Sequence, residues 1–113
     1  MRVGMFTRGY ERLPMERMFK DAKDAGYDYI EMWGGRPHAY TYDLMNHGQI
    51  DEIKALIDKY EMPVDVFCPE LNAYMFNFMI GPEYQRRDAV DYVKRCMDMA
   101  KEMGASHTLI SAG

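Results

Sequence analysis

Phe6, Glu31, Trp33, Arg36, His38, Glu70 and Asn72 are the side chains with chemical potential that stand where apolar segments break into polar ones. Aromatic rings beside carboxylates, an amide and an imidazole suit a polyhydroxylated ligand, since a ring face takes the C–H side of a sugar and polar groups take its hydroxyls. Glu31 is the most demanding of the set. It lies inside the apolar run 27–33, and an unpaired buried charge needs a partner, a polar pocket or a ligand. Directly after that run comes Gly34-Gly35-Arg36-Pro37-His38, a turn carrying a guanidinium and an imidazole.

Each residue also has a plainer reading. Trp33 suits core packing, and Glu31 suits a structural carboxylate paired with a basic or amide neighbour. His38 stands next to Pro37 with no apolar pattern around it, which favours a site, and Glu70 after Pro69 is read the same way. His107 near the start of a late strand, His47, and the acidic Asp51, Glu52 and Asp58 read as structural or solvated positions. No nucleophile elbow, phosphate-cradling glycine loop or closely spaced metal-ligand cluster occurs, and Gly34-Gly35 is too short for a dinucleotide fingerprint. The residues alone point to a carbohydrate-like ligand and leave the reaction type open.

The elements that must position these groups follow from spacing. Residues 3–6 form a short apolar strand and 7–13 a loop, with Pro14 as a first helical residue. Met15, Met18, Phe19, Ala22 and Ala25 recur at helical spacing, and Gly26 ends that helix. A strand follows, with Tyr27, Tyr29, Ile30, Met32 and Trp33 suited to burial. A long loop then runs to about Gly48, well beyond the ~2–6 residues usual between strand and helix. Ile50, Ile53, Leu56, Ile57 and Tyr60 mark a second helix, stopped by Pro63. Residues 64–67 form a third strand, and residues 71–81 a second long loop. Pro82 opens a third helix carried by Ala89, Val90, Val93, Met97, Ala100 and Met103, and residues 107–111 form a fourth strand. Strands alternating with helices give an α/β fold with a parallel sheet. Long loops only after strands place binding at the carboxyl ends of those strands.

With 113 residues the chain is one small domain. Its net charge of −4 argues against nucleic acid as a partner. No apolar run is long enough to span a bilayer, so no membrane role is expected. Cys68 and Cys96 fit neither a zinc site nor a disulfide framework and read as reduced thiols, which suggests a cytoplasmic setting.

The pattern GYDYIEMW, with Glu31 on its strand, resembles the xylose-isomerase-like TIM barrels, a superfamily of sugar isomerases, ketose epimerases and apurinic endonucleases. MFTRGYERLP, IEMWGGRPHAY, IKALIDKYEMP, RRDAVDYVKRCMDMAKEMGA and TLISAG extend the likeness over most of the chain, toward carbohydrate 3-epimerases acting on fructoselysine-like ketoamines. The nuclease branch fits less well, because its early-strand metal histidines have no counterpart at Cys68-Pro69-Glu70 or Ser111-Ala112-Gly113. The resemblance implies a parallel (β/α) half-barrel over residues 1–113, the first four strands and three helices of a TIM barrel. A flavodoxin-like doubly wound sheet is the alternative fold.

The resemblance also implies epimerisation beside a ketone, with one group removing the carbon-bound proton and another returning one on the opposite face. A divalent metal ion stabilises the enediolate in that family. The metal ligands and proton-moving glutamates lie on later strands, so this chain is expected to have no catalytic residue, to bind no metal alone and to be inactive alone. What carries over is one wall of a pocket for a sugar or sugar-amine, with Phe6, Trp33, His38 and Glu70 facing the substrate. A non-catalytic sugar-binding or structural half-barrel is the alternative function. An uncovered apolar sheet face predicts self-association.

Overall fold

The computed structural model describes residues 1–71 and 76–111, so Asn72 lies outside the described residues. Strands β1 (Gly4–Phe6), β2 (Tyr29–Gly34), β3 (Val64–Pro69) and β4 (His107–Thr108) form one parallel sheet in the order β1-β2-β3-β4. Helices α1 (Met15–Ala25), α2 (Thr41–Asn46), α3 (Gln49–Tyr60) and α4 (Glu83–Glu102) occupy the crossovers, and a 3-10 turn (Thr7–Tyr10) follows β1. Sequential strand order is that of a barrel segment. A flavodoxin-like sheet reverses order after its first two strands, so that alternative is set aside.

Burial along β2 alternates strictly. Ile30 and Met32 are fully buried, whereas Tyr29, Glu31 and Trp33 are half-buried. Ile30 and Met32 join Phe67 of β3, Met18 and Phe19 of α1, Ile53 of α3 and Tyr92 of α4 in a single core. The odd-numbered β2 residues therefore line the opposite, open face of the sheet, because successive strand side chains point to opposite sides. Asp28 fixes where β1 and β2 begin. Its carboxylate accepts the Val3 N–H at 2.7 Å, and its own N–H donates to the Val3 carbonyl at 2.8 Å.

Three helices end in the same way. The chain turns through a left-handed residue, Gly26 (φ 79°), Glu61 (φ 46°) or Gly104 (φ 84°), and the next N–H closes on a carbonyl five residues back. The closing bonds are Tyr27 to Ala22 (3.0 Å), Met62 to Ile57 (3.2 Å) and Ala105 to Ala100 (2.9 Å). Glycine takes this conformation without strain; Glu61 does so with a Cβ, so α3 is ended by Glu61 before Pro63 is reached.

Other expectations are corrected. The stretch after β2 is not simply a loop, since α2 lies within it and the crossovers hold a further helix beyond the three expected. α2 docks through Leu44, fully buried, and through Thr41, whose Oγ1 lies 3.1 Å from Cys96 Sγ of α4. Ala25 and Met97 are exposed rather than core. On α4 the buried stripe is Ala89, Tyr92, Val93, Cys96 and Ala100. Cys68 and Cys96 are both free thiols. Among the described residues no helix is long and apolar enough to cross a membrane.

Candidate functional site

The carboxyl ends of the strands open onto a cavity of about 370 Å³, within the usual range for small-molecule sites. Phe6 from the end of β1, Trp33 from β2, and Cys68 and Glu70 from the end of β3 line it, with Leu109 and Ile110 beyond β4. Three of the four expected pocket residues, Phe6, Trp33 and Glu70, thus meet around one space.

Trp33 is held on several sides. Its backbone N–H donates to Oγ1 of the buried Thr7 at 2.9 Å. Its indole Nε1–H donates to Glu70 Oε2 at 3.3 Å. The benzo ring fills the space a side chain at Gly35 would need, since a Cβ there would lie 2.0 Å from the ring. Gly35 therefore makes room for the indole. The guanidinium of Arg8 lies over the ring, 4.2 Å from its centroid.

Glu70 is anchored by its backbone as well as by the indole bond to its side chain. Its N–H donates to the Gly34 carbonyl at 3.1 Å, and its carbonyl accepts the Tyr92 hydroxyl at 2.9 Å. Burial pushes the Tyr92 phenol far above its ordinary range, so this hydroxyl remains a donor at any physiological pH. Among the described residues no basic side chain pairs with Glu70 or with Glu31. Glu31 lies on the half-exposed open face, in register with Phe6 and Val66, so its charge is met by solvent access and not by a buried partner.

His38 does not line the cavity. Its ring Nε2–H donates to the Leu13 carbonyl at 2.6 Å, tying the loop after β2 to the loop after β1. Arg36 is likewise committed elsewhere. It forms a two-pronged pair with Asp43 of α2 at 2.8 and 2.9 Å and lies over the Tyr40 ring. That guanidinium holds the Asp43 carboxyl below its ordinary range. Sequence reasoning missed Thr7 and Arg8. Their position immediately after β1 was the available signal, because the strand-end rule that selected Trp33 and Glu70 applies there equally.

Cys68 faces the cavity, but burial pushes its thiol pKa up, and the nearby Glu31 and Glu70 carboxylates push it further in the same direction. A protonated thiol is a poor nucleophile. Iodoacetamide is therefore expected to label Cys68 slowly at neutral pH, with the rate climbing only above the ordinary thiol pKa of about 8.5. Peptide mass spectrometry across a pH series checks this, and rapid neutral labelling would contradict it.

Among the described residues no three His, Cys, Asp or Glu side chains converge to hold a metal ion. The groups present supply a ring platform, a carboxylate acceptor and a guanidinium donor, a set chemically suited to a polar ligand.

A family model described as "Xylose isomerase-like TIM barrel" matches residues 19–113. Two proteins named fructoselysine 3-epimerase, from Escherichia coli O157:H7 and Shigella flexneri, are each 54% identical over 112 residues. Those alignments cover 99% of this chain and 40% of each relative, so the chain spans well under half the length of the relatives it matches. Among solved structures, the apo form of 3-keto-D-glucoside 4-epimerase from E. coli superposes with a TM-score of 0.73 at 20% identity, covering 99% of this chain and 38% of that one. At that identity the likeness concerns the fold alone.

Proposed function

The chain belongs to the xylose isomerase-like TIM barrel family, and from that premise we propose that it supplies one wall of the substrate cavity of a carbohydrate 3-epimerase acting on fructoselysine-like ketoamines. The observation that carries this reading is the meeting of Phe6, Trp33 and Glu70 on one cavity at the strand ends of a chain 54% identical to two fructoselysine 3-epimerases. Phe6 and the open part of the Trp33 ring pack against the C–H surface of the sugar. Glu70 accepts hydrogen bonds from its hydroxyls. His38 acts from outside the cavity, bracing the loop after β2 against the segment after β1 that carries Arg8.

Epimerisation at C3 requires a group that removes the proton beside the ketone and one that returns a proton from the other face. We assign these to sequence outside this chain. The described residues do not fit the divalent metal that the family resemblance implies, so no step is assigned to one here. What these residues do is fix the ketose in register and exclude water from one side.

The same reading assigns the open sheet face to covering by further barrel strands. Phe6 at the end of β1 and Leu109 and Ile110 beyond β4 remain 46%, 54% and 49% exposed, and apolar surface of this kind drives association when uncovered. The test compares the 113-residue chain with a longer polypeptide in which it is joined to the remaining part of a fructoselysine 3-epimerase relative, following C3 proton exchange of fructoselysine in heavy water by NMR. The longer polypeptide is expected to exchange and epimerise, and the chain alone to do neither while forming oligomers in light scattering. Epimerisation by the chain alone, or a monodisperse monomer that unfolds cooperatively, would overturn the assignment.

A further inference from the structure

We propose that Arg8 is a specificity-determining residue whose guanidinium takes a carboxylate carried by the ketoamine, so that the cavity selects ketoamines that bear a carboxylate over those that lack one. This rests on the epimerase reading and narrows its substrate class.

Arg8 is the one cationic side chain lining the cavity among the described residues, and Glu70 is the one carboxylate. Trp33 stands between them, with Arg8 over its ring at 4.2 Å and its indole N–H on Glu70 at 3.3 Å. The cavity thus has a cationic side and an anionic side joined by an aromatic plate. Leu71, Leu109 and Ile110 supply the apolar lining, which suits a methylene chain.

Arg8 already pairs with a carboxylate, that of Glu11, on the following turn. Both side chains of that pair are about half exposed, at 53% and 41%, and solvent-exposed pairs of this kind are worth little. A ligand carboxylate held inside the cavity can displace Glu11, because the guanidinium fork matches a carboxylate with two parallel hydrogen bonds. Glu70 repels an anion from the other side, which fixes the orientation. The ligand's carboxylate goes to Arg8, and its hydroxyls or ammonium go to Glu70. A phosphate dianion fits less well, since a single guanidinium would face two charges with Glu70 nearby.

The test uses the longer polypeptide, wild type and with Arg8→Ala or Arg8→Lys. Its substrates are fructoselysine and fructosylated cadaverine, which is the same ketoamine without the carboxylate. Loss of a charge-assisted hydrogen-bonded pair is expected to lower kcat/KM for fructoselysine about ten- to hundred-fold, mainly through KM. The cadaverine adduct should lose clearly less than fructoselysine, since it loses only the support Arg8 gives the Trp33 ring, and Arg8→Lys should fall between, retaining the charge without the fork. Equal loss on both substrates, or no wild-type preference for the carboxylate, would overturn the role of Arg8 while leaving the epimerase reading intact. If neither compound is turned over, the epimerase reading fails. Calorimetric titration then decides the carboxylate contact separately, by whether an affinity gap between the two compounds exists and disappears in Arg8→Ala. Tighter binding of fructose 6-phosphate than of fructoselysine would identify a phosphate site and refute the carboxylate assignment.

Discussion

Tyr92→Ala is expected to lower the free energy of unfolding by about 3–5 kcal/mol, the usual cost of truncating a large buried aromatic residue. Tyr92 is fully buried and stacks on Phe76 at 4.0 Å, with Tyr40 and Tyr42 tilted against it at 6.3 and 5.8 Å. It is where α4, the α2 crossover and the end of β3 meet. The substitution leaves a cavity, removes the ring contacts and frees the Glu70 carbonyl from its hydroxyl donor. Tyr92→Phe separates these effects, because it keeps the ring and loses only the hydrogen bond, for about 1–3 kcal/mol if the carbonyl stays dry. Urea unfolding of the longer polypeptide, followed by circular dichroism, measures both. Equal stability of Tyr92→Ala and wild type would refute the assignment of Tyr92 as the junction.

Gly34 and Phe67 are expected to show strong coupling. A Cβ at Gly34 would lie 2.5 Å from the Phe67 ring and 3.0 Å from the Ala39 carbonyl oxygen. Phe67 is itself fully buried, so its ring has little room to retreat. Gly34→Ala alone overfills the site and should cost about 1–3 kcal/mol. Phe67→Ala alone empties it and should cost about 3–5 kcal/mol. In the double variant the new methyl enters the space left by the ring, so the combined loss should be less than the sum by more than about 0.5 kcal/mol. A double-mutant cycle from chemical denaturation of the longer polypeptide gives the coupling directly, and strict additivity would contradict the packing described.

Much of the scaffold was legible because local pattern and tertiary demand agree in it. The stripe Met15, Met18, Phe19 and Ala22 is both helical in spacing and buried. Gly26 both permits and adopts the left-handed turn. The errors fall where tertiary context decides. Met97 has the right hydrophobicity for the α4 stripe, but Tyr92 and Cys96 set that face, because α2 docks on it through Thr41. α2 itself is a helix of only six residues, too short to announce a repeat, and what holds it is Leu44 and the tyrosine cluster.

The cavity was legible in the same partial way. Strand-end position selects Phe6, Trp33 and Glu70, which a parallel sheet brings to one mouth. It does not reveal that Arg8 lies over Trp33, twenty-five positions further along the chain, because that contact exists only after β1 and β2 pair. Nor does it reveal that Arg36 turns outward to Asp43.

The clasp from His38 to Leu13 couples two loops that are far apart in sequence. Within the crossover after β2, Gln49 holds the loop to the start of α3, accepting the Ala39 N–H at 2.8 Å and donating to the Pro37 carbonyl at 2.9 Å. The two loops therefore form one transplantable cassette. Grafting the loop after β2 onto another barrel without its companion would leave the imidazole only water as an acceptor, whereas moving both together carries the clasp intact.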